Sequence, residues 1–508
     1  MERKLQALKE RLLEAHDLDS TLAVLNWDQS TYMPPGGAPT RARQMAILGR
    51  LAHERFTDPA IGRLLEGLQP YEESLPYDSD DASLIRVTRR EYERAVRVPS
   101  KFVAELNSHQ AESYQVWTEA RPHNDFARVQ PYLEKTLDLS RRYAGYFPGY
   151  ESIADPLIDE SDYGMKASIL SPLFAQLREA LVPIVEAVTS QPPADDACLR
   201  QHFPEAAQWA FSLDVARQIG YDFERGRLDK THHPFETAFS IGDVRITTRV
   251  DEQNLGQALF STIHESGHAM YEQGINPDYE GTPLAAGTSS GVHESQSRLW
   301  ENIVGRSLGF WTYFYPRVQA AFPAQLGPVP LDTFYRATNK VERSLIRTDA
   351  DEVTYNLHVM LRFDLELALL EGRLAVRDLA DAWRKRYRAD LGVVSPDDRD
   401  GVLQDVHWYG GMIGGSFQGY TLGNILGAQF YEAALRARPD IPAQIEQGHF
   451  DMLHGWLRES IYRHGSKYTA VELVQRVTGG PLSIEPYVRY LRTKYGRIYR
   501  GIAENALS

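Results

Sequence analysis

Apolar residues recur at helical spacing along almost the whole chain, and only one stretch breaks the pattern. In residues 1 to about 26, Leu5, Leu8, Leu12 and His16 fall on one stripe, which predicts an amphipathic helix. The same period returns near 40–55, 82–120, 124–145, 167–190, 205–219, 252–274, 294–308, 331–372, 376–390, 421–437, 451–463 and 469–477. Proline-containing breaks lie near 34–35, 192–193, 322–330 and 395–396. The exception runs from Phe235 to Val250, where Thr, Val and Ile alternate around a Gly242-Asp243 turn and predict a β-ribbon. So many amphipathic helices bury their stripes mainly against one another. The expected fold is therefore mainly α, a large helical body with one small ribbon. The 508 residues suit either several ordinary domains or one such body, and both are long enough to bury a core.

Within the 252–274 helix sits His264-Glu265-Ser266-Gly267-His268. Histidines at i and i+4 share one helical face, about one turn apart, so both imidazoles can reach one metal ion. Glu265, beside the first histidine, points near the position where a water would bind. It is the candidate general base of a metal-dependent hydrolase, most simply a peptidase. A catalytic zinc takes three protein ligands. Beyond the Gly/Pro-punctuated loop from Gly274 to Gly291, Glu294 offers the third, at the head of a second helix. The adjacent His293 is the rival, pointing about 100° away around the helix. The two-His-plus-Glu pattern favours Glu294. Two histidines and a carboxylate suit zinc, with cobalt or manganese able to take the same donors.

Composition excludes several functions. Charge is −14 with no basic cluster apparent along the chain, which argues against nucleic-acid binding. A single cysteine, Cys198, excludes an intrachain disulfide framework and a cysteine-rich metal site. The amphipathic start Met1-Glu2-Arg3-Lys4-Leu5-Gln6 is unlike a signal peptide. No uninterrupted apolar run approaches the ~18 residues of a membrane span. A cytoplasmic location without membrane attachment is expected.

The chain resembles the carboxypeptidase Taq family of metallocarboxypeptidases. The likeness begins at Trp27-Asp28-Gln29-Ser30-Thr31-Tyr32-Met33-Pro34-Pro35-Gly36 and reaches Gln418-Gly419-Tyr420. Between them, in order, stand His233-Pro234-Phe235, Asp243-Val244-Arg245-Ile246-Thr247, the His264–His268 motif and His293-Glu294-Ser295-Gln296. Ile346-Arg347-Thr348-Asp349-Ala350-Asp351 and Gly401-Val402-Leu403-Gln404-Asp405-Val406-His407-Trp408 follow. The resemblance implies a two-lobed helical fold with a deep groove, similar to neurolysin, spanning residues 1–508 as one catalytic domain. It implies removal of single residues from peptide C-termini with broad specificity that disfavours proline. It also implies a homodimer.

The same likeness, with tetrahedral chemistry in mind, makes His407 and Tyr420 candidate donors to an oxyanion. A free α-carboxylate suits an arginine fork, with Arg347 as first candidate and Arg245 as second. His233 is a candidate for shaping the substrate pocket. Glu301 and Asp351 compete as the carboxylate behind a ligating histidine. Two rival functions share these residues: an oligopeptidase cutting internal bonds, and a helical binding protein with a structural metal.

Overall fold

The computed structural model describes residues 1–499; the expected domain's residues 500–508 lie outside them. Helix accounts for about 69% of the protein, so the mainly α expectation is correct. The apolar side chains gather into two clusters. The smaller joins the helices Glu2–Thr31, Pro59–Ser74 and Asp80–Arg97 through Leu5, Leu8, Leu12, Ile61, Leu65, Leu68, Leu84, Ile85 and Val87. It rests on Ile241, Ile275, Tyr279 and Leu284. The larger cluster runs from Phe102 to Tyr499 and forms the main body. Each fully buried leucine of this kind contributes about 1.5–3 kcal/mol.

Several helices differ from the periodicity reading. The stretch 82–120 is two helices, Asp80–Arg97 and Ser100–Ala120, divided at Pro99, because proline disfavours helical geometry in the residue before it. The stretch 331–372 is also divided. Helix Leu331–Thr338 ends early, a single 3-10 turn covers Arg347–Asp349, and a helix resumes at Tyr355–Leu370. Arg347 therefore sits on a turn, not within an amphipathic helix. The periodicity does not mark the helices Pro59–Ser74 and Glu485–Ile498, both of which start with a proline in the first turn, where it is tolerated. Helix Ala167–Thr189 is long and apolar enough to cross a membrane by length and composition. Its stripe Leu170, Phe174, Leu177 and Leu181 is nonetheless buried in the larger cluster, and Arg178 pairs with Asp364 and Asp390.

The ribbon is real but is part of a three-stranded sheet. Strands β1 (Leu228–Lys230), β2 (Glu236–Ser240) and β3 (Asp243–Thr248) stand in the order β1-β3-β2. β2 is antiparallel to β3 and β1 is parallel to it. β2 is thus an edge strand. It lines a cavity of about 540 Å³ with Ala238 and Ser240, facing Ala15 and His16 of the first helix.

Candidate active site

Two capped helices bring the site together. Helix Leu255–Gln273 starts where the Asn254 side chain accepts from the Gly256 amide, 3.1 Å. Helix Ser290–Arg298 starts at Ser289, whose left-handed φ of 46° turns the chain and whose hydroxyl accepts from the Val292 amide, 3.2 Å. Caps of this type stabilise a helix end by about 1 kcal/mol. Gly267 lets the two helices cross closely. A Cβ there would lie 2.6 Å from Ser297 Cα and 2.7 Å from the Gln296 carbonyl oxygen.

At this crossing, one ligand atom each from His264, His268 and Glu294 lie within 4.8 Å of one another. Glu294 Oε2 is 3.7 Å from His264 Nε2 and 3.3 Å from His268 Nε2. Arg298, one turn on, binds the other oxygen, Oε1, at 2.7 Å. Burial opposes the Glu294 charge, but Arg298 and the two imidazoles hold its carboxyl well below the usual range.

The outer hydrogen bonds fix the two tautomers. His264 Nδ1 donates to Glu301 Oε2 at 2.8 Å, so its Nε2 lone pair faces Glu294. Of the two outer-shell candidates, Glu301 is the one at the histidine; Asp351 instead accepts from the Val353 and Thr354 amides. The helix continues beyond Arg298 as a π-turn over Leu299–Val304, which carries Glu301 and was read as ordinary helix. Such turns favour functional sites. His293, the rival ligand, stands behind His268. Its Nε2 donates to Glu272 Oε1 at 2.8 Å, and its Nδ1 lies 2.6 Å from His268 Nδ1. With the His293 proton on Nε2, its Nδ1 accepts from His268, leaving the His268 Nε2 lone pair free. Burial pushes His268 down to about 3, which keeps it neutral as a ligand must be. Glu272 lies one turn past His268, a spacing that could have revealed it. His293→Gln should lower metal affinity about 10–100-fold, measured by metal titration.

Glu265 is 7% exposed and its carboxyl is pushed up to about 7, first by burial and then by the Glu294 and Glu301 charges. A bound cation pulls it back toward the ordinary range.

The helix Phe417–Ala437 closes the other side. Gly419, Gly423 and Gly427, at i, i+4 and i+8, lie against the Glu294 helix. A Cβ at Gly423 would stand 2.7 Å from Glu294 Cβ. Tyr420, on this helix, meets His407 at 3.1 Å between Oη and Nε2. Burial, with Arg347 nearby, pushes His407 down to about 4, so the ring is neutral. Asp405 lies 3.7 Å from His407 Nδ1, too far for a hydrogen bond.

Arg347 is in the same group, 5.3 Å over the Tyr420 ring and 7% exposed. Its Nε and Nη2 bind Asp405 Oδ1 at 3.1 and 2.9 Å, and its Nη1 binds the Tyr355 hydroxyl at 3.1 Å. Three of its five N–H donors are engaged, and two remain. Arg298 lies 4.3 Å over the Tyr355 ring, which links this arginine to the Glu294 carboxylate. The structure thus unites His264, Glu265, His268 and Glu294 in one cluster, and Arg347, His407 and Tyr420 in a second that adjoins it. It gives Arg245 different neighbours. Both Nε and Nη2 bind Asp243, and the guanidinium stacks 4.4 Å over Trp27. His233 is exposed at a bend before β2.

The donor set fits a divalent metal: two imidazoles and an ionised carboxylate converge, each braced from behind. The model of the carboxypeptidase Taq (M32) metallopeptidases matches residues 7–495. The chain belongs to this M32 family. The M32 chain is 44% identical to thermostable carboxypeptidase 1 of Thermus thermophilus over 97% of its own length and 98% of that protein's. It is 36% identical to carboxypeptidase 1 of Bacillus subtilis, over 94% and 95%. Among solved structures, it overlays the M32 carboxypeptidase of Deinococcus radiodurans R1 with a TM-score of 0.95 and 52% identity, covering 98% and 99% of the two chains. It is a metal-dependent carboxypeptidase acting on C-terminal peptide bonds.

Proposed function

We propose that His264, His268 and Glu294 hold one zinc ion and that Glu265 is the general base. The convergence of their three ligand atoms within 4.8 Å carries this reading. When bound, the ion acidifies water and polarises the scissile carbonyl. Glu265 takes the proton of the attacking water and returns it to the leaving nitrogen. Tyr420 turns its hydroxyl from His407 toward the developing oxyanion, and His407 holds the tyrosine in place until then. The two uncommitted N–H groups of Arg347 bind the substrate's terminal carboxylate as a fork. The edge of β2 pairs with the extended peptide. Arg245 and His233 act from further out, shaping the pocket wall. Specificity is broad, with proline disfavoured, because these contacts grip backbone and carboxylate rather than a side chain. The enzyme works as a homodimer in the cytoplasm.

Two experiments test this. Strict chelation should abolish the stepwise release of C-terminal residues seen by mass spectrometry, and zinc should restore it; activity that survives chelation removes the metal from the mechanism. Arg347→Ala should cut kcat/KM for a free-acid peptide by about 10²-fold, the cost of a lost charged pair. The matching C-terminal amide should change far less, and equal losses would reject the contact.

A further inference from the structure

Arg362 is completely buried, and no step above uses it. A guanidinium in the interior is costly unless its charge and its donors are met. Arg362 stands on the helix Tyr355–Leu370, with Cζ 4.4 Å from the centre of the Trp383 ring. Nη1 donates to the His358 carbonyl, one turn back on the same helix, at 2.6 Å. Nε donates to Asp405 Oδ2, and Nη2 donates to Gln404 Oε1 at 2.7 Å.

Both of those acceptors also serve Arg347. Asp405 Oδ1 takes its Nε and Nη2, and Gln404 Oε1 takes its backbone amide at 3.0 Å. Gln404 Nε2 in turn donates to the Leu345 carbonyl at 3.0 Å. Arg347 lies on a single 3-10 turn and has no long helix of its own to hold it. The Gln404-Asp405 pair fixes its backbone and its fork, and Arg362 ties that pair to a sixteen-residue helix.

The charges do not cancel within this trio. Two guanidiniums share one carboxylate, each on a different oxygen. Burial opposes the Asp405 charge, but Arg362 and Arg347 hold its carboxyl well below the usual range. His407 and His358, which face the same group, are both kept neutral by burial and by the arginines. The other buried carboxyl beside Arg362, Glu366, accepts from the Trp408 indole at 2.8 Å and not from either arginine; burial pushes it up to about 7. Without Arg362, Asp405 and Arg347 would form a neutral one-to-one pair with little charge left to attract an anion. With it, Asp405 is divided, and Arg347 keeps positive charge for a counter-ion that arrives from outside.

We infer that Arg362 is a positioning residue for recognition of the substrate's terminal carboxylate. It holds the Arg347 fork through Gln404 and Asp405, and it draws off half of the Asp405 charge. This rests on the reading that Arg347 binds that carboxylate.

The test is steady-state kinetics of the full-length metal-loaded enzyme on a free-acid peptide and its C-terminal amide. Arg362→Gln should raise KM for the free acid about tenfold, the scale of a lost charged hydrogen bond, with kcat nearly unchanged and the amide little affected. Arg362→Lys keeps the charge but loses the planar fork, so its KM should fall between, up about threefold. Thermal unfolding checks that each variant folds. If Arg362→Gln does not fold, Arg362→Lys alone decides, by the same contrast of acid and amide. An unchanged KM for the free acid, equal losses on acid and amide, or a lysine variant as impaired as the glutamine one would overturn the role. Arg347→Ala, run beside them, separates the two ideas. Selective loss there, with no selective loss in the Arg362 variants, overturns the anchor and leaves the carboxylate contact standing. Equal losses with Arg347→Ala reject the contact, and the anchor with it.

Discussion

Glu265→Gln leaves metal content intact and lowers kcat by about 10²-fold or more, the scale of a lost general base. The substitution isolates the chemistry. Glutamine has the same length and shape, and the side chain is packed away from solvent, so the crossing of the two helices is undisturbed. His264, His268 and Glu294 keep their own supports, which come from Glu301, His293 and Arg298 and not from residue 265. Only the ability to accept a proton is removed. Metal analysis and steady-state kinetics on one preparation decide the matter. Near-normal turnover in a metal-replete variant would falsify the role.

Gly423→Ala and Gly267→Ala reverse the sign that helix propensity gives. An alanine in a helix interior is better than glycine by about 1 kcal/mol when nothing else changes. At Gly423 the added methyl meets the Glu294 side chain, and at Gly267 it meets the backbone at Gln296 and Ser297. Backbone cannot rotate away, so the helices must separate. Overpacking of this kind costs about 1–3 kcal/mol, and the displaced element carries the carboxylate that joins the two imidazoles. Both variants should melt lower and bind metal at least about tenfold more weakly, because ligand positions tolerate little error. Gly455→Ala is the control. Its Cβ in the helix Asp451–Ser460 would meet nothing within 4 Å, so it should raise stability by about 0.5–1 kcal/mol. Thermal melts and metal titrations of the three variants are the measurement. Metal affinity in Gly423→Ala equal to that of the unaltered enzyme would show that the crossing has slack.

The histidine pair, Glu265 and Glu294 were legible because a helix converts spacing into direction. Four residues return to the same face, and the punctuated loop signals where a second helix must begin. The same rule makes Glu301, two turns beyond Glu294, a candidate but does not choose it over Asp351; a π-turn lies beneath it. Segment 339–354 was not legible. Its apolar spacing mimics a helix, but its backbone is satisfied by side chains from elsewhere. Gln404 accepts from the Arg347 amide, and Asp351 accepts from the amides of Glu342, Val353 and Thr354. Asp405 is shared between Arg347 and Arg362, and nothing in local sequence announces such a partner. Strand β1 was missed for a simpler reason: three residues are too few to display alternation. The preference for Glu294 over His293 follows from the same helical geometry: one helix presents Glu294 to the centre and His293 to its back, and only the pairing of His293 with His268 and Glu272 is hidden in the sequence.

The loop between the two ligand-bearing helices is also the seat of the N-terminal helices. Ile275, Tyr279 and Leu284 anchor there in the smaller apolar cluster, and the Tyr279 hydroxyl binds Asp80 at 2.7 Å. The imidazole pair sits upstream of that loop on a long, deeply packed helix, while the carboxylate sits just downstream on a nine-residue one. Warming that first loosens the N-terminal helices therefore reaches the acidic ligand before the basic ones. Heat inactivation would begin as leakage of the cation from a protein whose main body is still intact, and added ion would delay it.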